Sequence, residues 1–340
     1  MIRVGVIGVG LIGRERLAAL SSLEAKGKPI SIAGIQDSNE ELCRTIEAEF
    51  GTSVFGSVES LLREDLDWVM IALPHDSAVQ VAHKALQSGA SVLMEKPMGR
   101  DLNEATKLAE MGGDRLHVGF NYRFYEGISR AIQDLRSGRF GKVISIELVL
   151  GHGGAPGQER TWKLDDLRAG GGCLIDPGVH LLDLCLQFAP SSVRPVGGTC
   201  WKGFWNTGIE EAVSLLLQCD EFSIALRISL VEWRSTFLMR INGTDGYGLV
   251  TGRNRSYGKQ KYTTGKRWGW REAESQAASE VVELENDGLD VFERETDALL
   301  FGRNRKEDWP RVATAQDALD VMKLLNEIRA VLGLRRDYSS

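Results

Sequence analysis

Three side chains stand out for the chemistry that their types and spacing allow. Lys96 lies in Glu95-Lys96-Pro97, directly after an apolar run, and Asp176 and His180 are four residues apart in Asp176-Pro177-Gly178-Val179-His180. An ammonium can polarise a hydroxyl oxygen and a carboxylate can orient it. An imidazole titrates near neutrality and can take the hydroxyl proton. Upstream is a glycine-rich turn, Gly8-Val9-Gly10-Leu11-Ile12-Gly13. Together the motifs point to hydride transfer between a nicotinamide cofactor and a secondary alcohol.

The glycine turn sits between the apolar run Val4-Ile7 and a helical segment from Arg14 to Leu20. In such a turn the first glycine allows a tight bend and the second lets backbone approach a pyrophosphate. The third lets helix and strand pack closely, and the helix N-terminus offers N–H groups to the phosphates. Asp37 ends the next strand, close to the separation of about 20 residues at which a carboxylate meets the ribose hydroxyls of NAD. Ser38 beside it, with no adjacent arginine, favours NAD over NADP, whose 2′-phosphate Asp37 would repel.

Each catalytic candidate also has a plain structural reading. Lys96 could be a solvated lysine ending a strand. Asp176 is a natural helix N-cap with Pro177 as first helical residue, and His180 could be a satisfied core histidine. Asp183 could orient the imidazole, although an exposed or capping role suits it better. Lys96 gains weight from its place at a strand's carboxyl end, the edge where doubly wound sheets bind ligands. The Lys96–Pro97 bond is a candidate for the cis form.

The elements that must position these residues fall into two stretches. Residues 1 to about 120 alternate strands and helices, with apolar runs at Val4-Ile7, Ile30-Ile35, Trp68-Leu73, Ser91-Met94 and Leu116-Val118. Strands apolar on both faces belong to parallel sheets covered by helices. A helix over Ala78–Ser88 ends at Gly89. From Asn121 a helix over Ile128–Ser137 leads to period-two strands. Ile144, Ile146, Leu148 and Leu150 share one face, as do Phe222, Ile224, Leu226, Ile228 and Leu230. Val213-Gln218, Thr236-Ile241 and Tyr247-Thr251 are further strands, and a helix closes the chain over about 314–332, capped by Thr314. The fold class is α/β: an N-terminal Rossmann domain over 1–120 with a doubly wound parallel sheet, then an α+β domain over 121–340 with a large, mostly antiparallel open sheet. An open sheet with one free face favours a homodimer or homotetramer.

The 340 residues are 43% hydrophobic, enough for packed cores. A net charge of −6 argues against general nucleic-acid binding. Five scattered cysteines without a C-x-x-C fit a reducing compartment and suggest no metal site. No apolar run reaches the ~18 residues of a membrane span. The expectation is a cytoplasmic protein.

These motifs, in this order, resemble the Gfo/Idh/MocA oxidoreductases. The resemblance runs through Gly5–Gly13, Val92–Gly99, Val118–Phe124 and Gly170–Asp183. It implies that His180 is the general base of alcohol oxidation, while Lys96 and Asp176 hold and polarise the hydroxyl. It implies cofactor contacts at Gly8, Gly10, Leu11, Ile12, Gly13, Asp37, Ser38, Leu73, Pro74, His75, Glu95, Lys96 and Asn121. It implies substrate contacts at Lys96, Arg123, His152, Trp162, Lys163, Asp176 and His180. The chain departs from the family where Pro-Asn-x-x-His is usual: it reads Pro74-His75-Asp76-Ser77-Ala78. The implied substrate is a sugar, polyol or sugar nucleotide. A non-catalytic regulator sensing NAD or sugar is the alternative, against which the retained trio counts.

Two segments bear on the substrate. His152-Gly153-Gly154-Ala155-Pro156-Gly157 can approach a ligand closely, and Trp162 can stack on a pyranose; an ordinary flexible loop with a packed tryptophan fits equally well. Residues 251–271 carry Arg253, Arg255, Lys259, Lys261, Lys266, Arg267 and Arg271 among Tyr257, Tyr262, Trp268 and Trp270, with no acidic residue. That suits a phosphate-bearing substrate, or an exposed hairpin or subunit contact.

Overall fold

The structure is a computed structural model and describes residues 1–189, 193–266, 279–284, 290–302 and 309–334. Arg267, Trp268, Trp270 and Arg271 of the basic segment lie outside the described residues.

The first half runs β1 (Ile2–Ile7), α1 (Leu11–Ala25), β2 (Ile30–Gln36), α2 (Glu40–Phe50), α3 (Val58–Leu62), β3 (Trp68–Ile71), α4 (His75–Gln87), β4 (Ser91–Glu95), α5 (Leu102–Gly112) and β5 (Leu116–Gly119). The second runs α6 (Glu126–Arg136), β6 (Val143–Gly151), α7 (Asp166–Ala169), α8 (Gly178–Phe188), β7 (Arg194–Trp201), β8 (Ala212–Gln218), β9 (Ser223–Ser229), β10 (Thr236–Gly243), β11 (Gly246–Thr251), β12 (Gln260–Lys266), β13 (Ser279–Leu284), α9 (Asp290–Phe301), β14 (Ala313–Thr314) and α10 (Ala315–Val331).

The first sheet has the order β14-β5-β4-β3-β1-β2. Strands β1 to β5 pair in parallel, and the inner strands β1, β3 and β4 bury side chains on both faces, as apolar runs between helices require. β3 stops at Ile71 rather than Leu73. Ala72 and Leu73 instead turn over the glycine loop, where a Cβ on Gly8 would meet the Ala72 carbonyl oxygen at 2.5 Å. α4 begins early, with Pro74 as its N-cap, so His75 is helical.

β14 adds to this sheet antiparallel to β5, bringing residues from the far end of the chain back to the first half. Thr314 then caps α10, its hydroxyl accepting from the Asp317 N–H. Ala318, Val321, Met322, Leu325 and Ile328 of α10 are buried, and each of the larger side chains contributes roughly 1.5–3 kcal/mol by leaving water.

The second sheet has the order β13-β12-β11-β10-β6-β9-β8-β7 and is antiparallel except where β6 runs parallel to β9. Ile146, Leu148 and Leu150 are buried with Ile224, Leu226 and Ile228. Ile144, expected on the same face, is 56% exposed. The ladder explains it: Asn242 pairs with Ser145 and Gly243 with Val143, so Ile144 falls in a bulge and leaves the alternation. No helix of the described residues is long and apolar enough to cross a membrane.

Candidate active site

The carboxyl ends of the parallel strands open onto a cleft of about 260 Å³ between the two sheets. Lys96 enters it directly after β4, and the Lys96–Pro97 and Asp176–Pro177 bonds are both cis. Asp176 arrives by way of Gly170-Gly171-Gly172. Gly172 lies so close to Glu210 that a Cβ would sit 1.9 Å from its carbonyl oxygen, while the Gly172 N–H donates to Glu210 Oε1 at 2.9 Å. That contact seats the turn before α8. Asp176 caps nothing: the N-cap of α8 is Pro177, without a side-chain bond. Its carboxylate faces the cleft, where Lys96 Nζ donates to Oδ1 at 2.6 Å and Lys163 Nζ to Oδ2 at 3.0 Å.

His180, in the first turn of α8, is 5% exposed and lines the same cleft. Its Nδ1 has no hydrogen-bond partner. The Tyr122 ring stacks on it, 3.9 Å between centroids and 9° from parallel, and Phe120 meets it edge-on at 6.0 Å. Burial and the nearby Lys96 and Arg253 charges hold the imidazole well below its ordinary range, against a weaker pull from Asp176. Burial would raise the Asp176 carboxyl, yet the Lys163 and Lys96 ammoniums hold it well below the usual carboxylate range. Asp176 in turn raises Lys163. The cleft therefore offers a charged carboxylate between two ammoniums beside a neutral imidazole.

The glycine turn fits a dinucleotide. Gly13 packs so that a Cβ would lie 1.9 Å from the Gly8 carbonyl oxygen, whereas nothing stands within 4 Å of the corresponding point on Gly10. Gly10 is also the N-cap of α1, leaving open space where backbone and helix end would meet phosphate. Asp37 accepts from the Val9 N–H at 2.9 Å and from the Asn39 N–H at 2.9 Å, which holds it beside this turn. Leu11 and Ser38 are exposed nearby, and Leu73 and Pro74 are partly buried. Ile12, Glu95 and Asn121 line the cleft, and Asn121 Oδ1 is buried without a partner. Glu95 accepts from Arg16 Nη2 at 2.6 Å.

Other expected residues are placed differently. Arg123 is fully buried away from the cleft, bonded to Asp183 through Nε at 2.8 Å and paired with Asp317 at 3.3 Å. Asp183 is thus neither exposed, nor a cap, nor a partner of the imidazole. The pair ties the Asn121–Phe124 turn to α8 and α10. His75 is buried with Nδ1 on the Ala169 carbonyl at 2.7 Å, and burial and Lys96 lower it to about 4. Trp162 packs its ring against His75, centroids 4.8 Å apart, and does not line the cleft. His152 does line it, and its Nδ1 accepts from the Gly154 N–H at 3.1 Å.

Several lining residues escaped the motif reading. Tyr122 and Tyr125 lie in the Asn121–Phe124 turn and just after it, where only Asn121 and Arg123 drew notice. Asn254, Ser256 and Phe292 carry no local signal, whereas the basic and aromatic run did flag Arg253, Arg255 and Tyr257.

Residues 2–120 match the family model described as "Oxidoreductase family, NAD-binding Rossmann fold", and residues 128–247 match the "GFO/IDH/MocA C-terminal domain". UDP-N-acetylglucosamine 3-dehydrogenase of Acidithiobacillus ferrooxidans is 34% identical over 57% of this chain and 58% of its own length. Glucose-6-phosphate 3-dehydrogenase of Bacillus subtilis is 29% identical over 54% and 53%. The chain thus spans little more than half the length of these relatives. An oxidoreductase domain protein from Kribbella flavida superposes with a TM-score of 0.82 at 19% identity, covering 99% of this chain and 98% of that one, which shows the shared fold. With both halves matched in order on a fold that seats the trio in one cleft, the chain belongs to the GFO/IDH/MocA family of oxidoreductases.

Proposed function

We propose that this protein is an NAD-dependent dehydrogenase or ketoreductase acting on a secondary hydroxyl of a sugar, in particular a phosphorylated sugar or sugar nucleotide. The carrying observation is the Lys96 Nζ–Asp176 Oδ1 contact of 2.6 Å beside a buried His180 whose Nδ1 has no hydrogen-bond partner. NAD would supply the hydride acceptor when bound, and the glycine turn, Asp37, Glu95 and Asn121 are the residues that would hold it. Lys96 donates to the substrate oxygen and stabilises negative charge developing there. Asp176 keeps that ammonium aimed, and Lys163 holds the other side of the carboxylate. His180, neutral in the free protein, takes the hydroxyl proton.

The substrate class is supported by the two relatives named above, one acting on a UDP-sugar and one on a sugar phosphate, and by the cleft's excess of cationic groups. Exposed Trp201, Leu216 and Trp233 on the second sheet and its connections fit burial in a homodimer or homotetramer, which light scattering would read. The free cysteines fit a cytoplasmic setting.

The test is absorbance of reduced nicotinamide with NAD or NADP against inositols, aldoses, sugar phosphates and UDP-sugars, with Lys96→Met in parallel. Turnover of one class, lost in Lys96→Met, is expected. Turnover unchanged in the variant would remove Lys96 from the mechanism. Silence across the panel with NADH still bound would favour a sensor.

A further inference from the structure

Arg253 follows β11 and projects into the cleft over a cage of phenol rings. Its guanidinium carbon lies 4.2 Å from the centroid of Tyr257, 4.6 Å from Tyr122 and 5.5 Å from Tyr125, and Nη1 donates to the Tyr125 hydroxyl at 3.0 Å. Its Nε is buried without a hydrogen-bond partner. The other charged groups of the cleft each have a partner of opposite sign, with two lysines on one carboxylate. Lys96 and Lys163 share Asp176, Glu95 takes Arg16, and Arg255 pairs with Glu15. Among the described residues no carboxylate pairs with Arg253. Neutral phenols orient a guanidinium through their ring faces, but they do not cancel its charge.

A partly buried cation without a counter-ion is costly in the free protein. It becomes favourable once an anion arrives, because a charge-assisted, bidentate bond forms in a site already shielded from water. We infer that Arg253 is the anion-recognition residue of this cleft, taking a phosphoryl or carboxylate oxygen borne by the sugar while the ring lies toward Lys96 and His180. The position of the ring rests on the hydride-transfer reading; the anion site does not. Tyr122 stacks on His180 and also meets the Arg253 guanidinium, so the ring that shapes the base's environment is shared with the anion site.

The experiment is calorimetric titration of the NADH-loaded protein with matched pairs: UDP-N-acetylglucosamine against N-acetylglucosamine, glucose 6-phosphate against glucose, and glucuronate against glucose. Wild type, Arg253→Met and Arg253→Lys are compared. In the wild type at least one anionic member binds about 10- to 100-fold tighter than its neutral partner, the span expected for a charged hydrogen bond. Arg253→Met abolishes the difference and Arg253→Lys keeps part of it. Which pair shows the gap identifies the anion as diphosphate, monophosphate or carboxylate. Inorganic phosphate competes with that ligand in the wild type, which keeps the test valid if Arg253→Met folds poorly. The inference fails if no anionic member binds tighter than its partner, or if Arg253→Met weakens charged and neutral sugars alike. It also fails if the variant weakens NADH, since Arg253 would then serve the cofactor. None of these readings needs turnover, so loss of the hydride-transfer reading in the absorbance assay is a separate result.

Discussion

The Tyr122 ring lies flat against the His180 imidazole, 3.9 Å between centroids and 9° from parallel. One face of the imidazole is thereby closed, and its tilt is set by a residue from the turn that follows the first sheet. Such a stack is worth about 0.5–1.5 kcal/mol beyond area burial. Tyr122→Phe keeps the ring and is expected to hold kcat within a few-fold. Tyr122→Ala frees the imidazole and removes a ring from under Arg253, so kcat should fall by about 10-fold or more and KM for an anionic substrate should rise as well. Steady-state kinetics on the two variants decide it, and equal losses in both would discard the stacking role.

Acid should be tolerated by the chemistry before it is tolerated by the fold. Because burial and the Lys96 and Arg253 charges lower His180, the imidazole stays neutral below its usual value of 6.5, and with His180 as the proposed base kcat/KM should remain flat as pH falls through that value. A lowered folded-state value means that the stabilising contribution is full above 6.5 and is lost as pH falls through the folded value. Asp176, also lowered, loses its contribution in the same direction at lower pH. His180→Asn should therefore show a shallower acid-side fall in Tm than the wild type. A kcat/KM profile that halves near 6.5 would contradict the assignment.

The glycine turn separates binding from folding. Gly10→Ala places a methyl in open space, so the fold and the Tm of the cofactor-free protein should be unchanged while NADH fluorescence titration shows binding weakened about 10-fold or more. Gly13→Ala would push a Cβ to 1.9 Å from the Gly8 carbonyl oxygen and should lower Tm as well.

Arg16 is expected to be structural. This buried guanidinium of α1 meets Glu95 at 2.6 Å and Glu295 of α9 at 2.6 Å, with Phe292 at 4.8 Å from its carbon. Arg16→Met leaves two carboxylates without their cation and should cost about 3–5 kcal/mol in urea unfolding. Restoring the loss with Glu295→Gln added would show that the unpaired buried charge is the cause.

Local sequence determined the parallel strands of the first sheet, several strands of the second and the dinucleotide turn, because strand period, apolar runs and glycine positions act over a few residues. The Gly8–Gly13 spacing, Lys96 after β4 and the Thr314 cap are all of this kind. Only tertiary structure decided which polar residues meet. Asp176 has the local chemistry of an N-cap, yet Lys96, 80 positions earlier, and Lys163 draw its carboxylate into the cleft. Arg123 sits in a family-like motif and would suit an anion, but Asp183 and Asp317 bury it. Arg253 belongs to a run whose composition suits a solvated face, and packing against three tyrosines instead places it over the cleft. The physical reason is common to all three. Charge pairing and burial are settled by neighbours distant in sequence, and local spacing does not encode them.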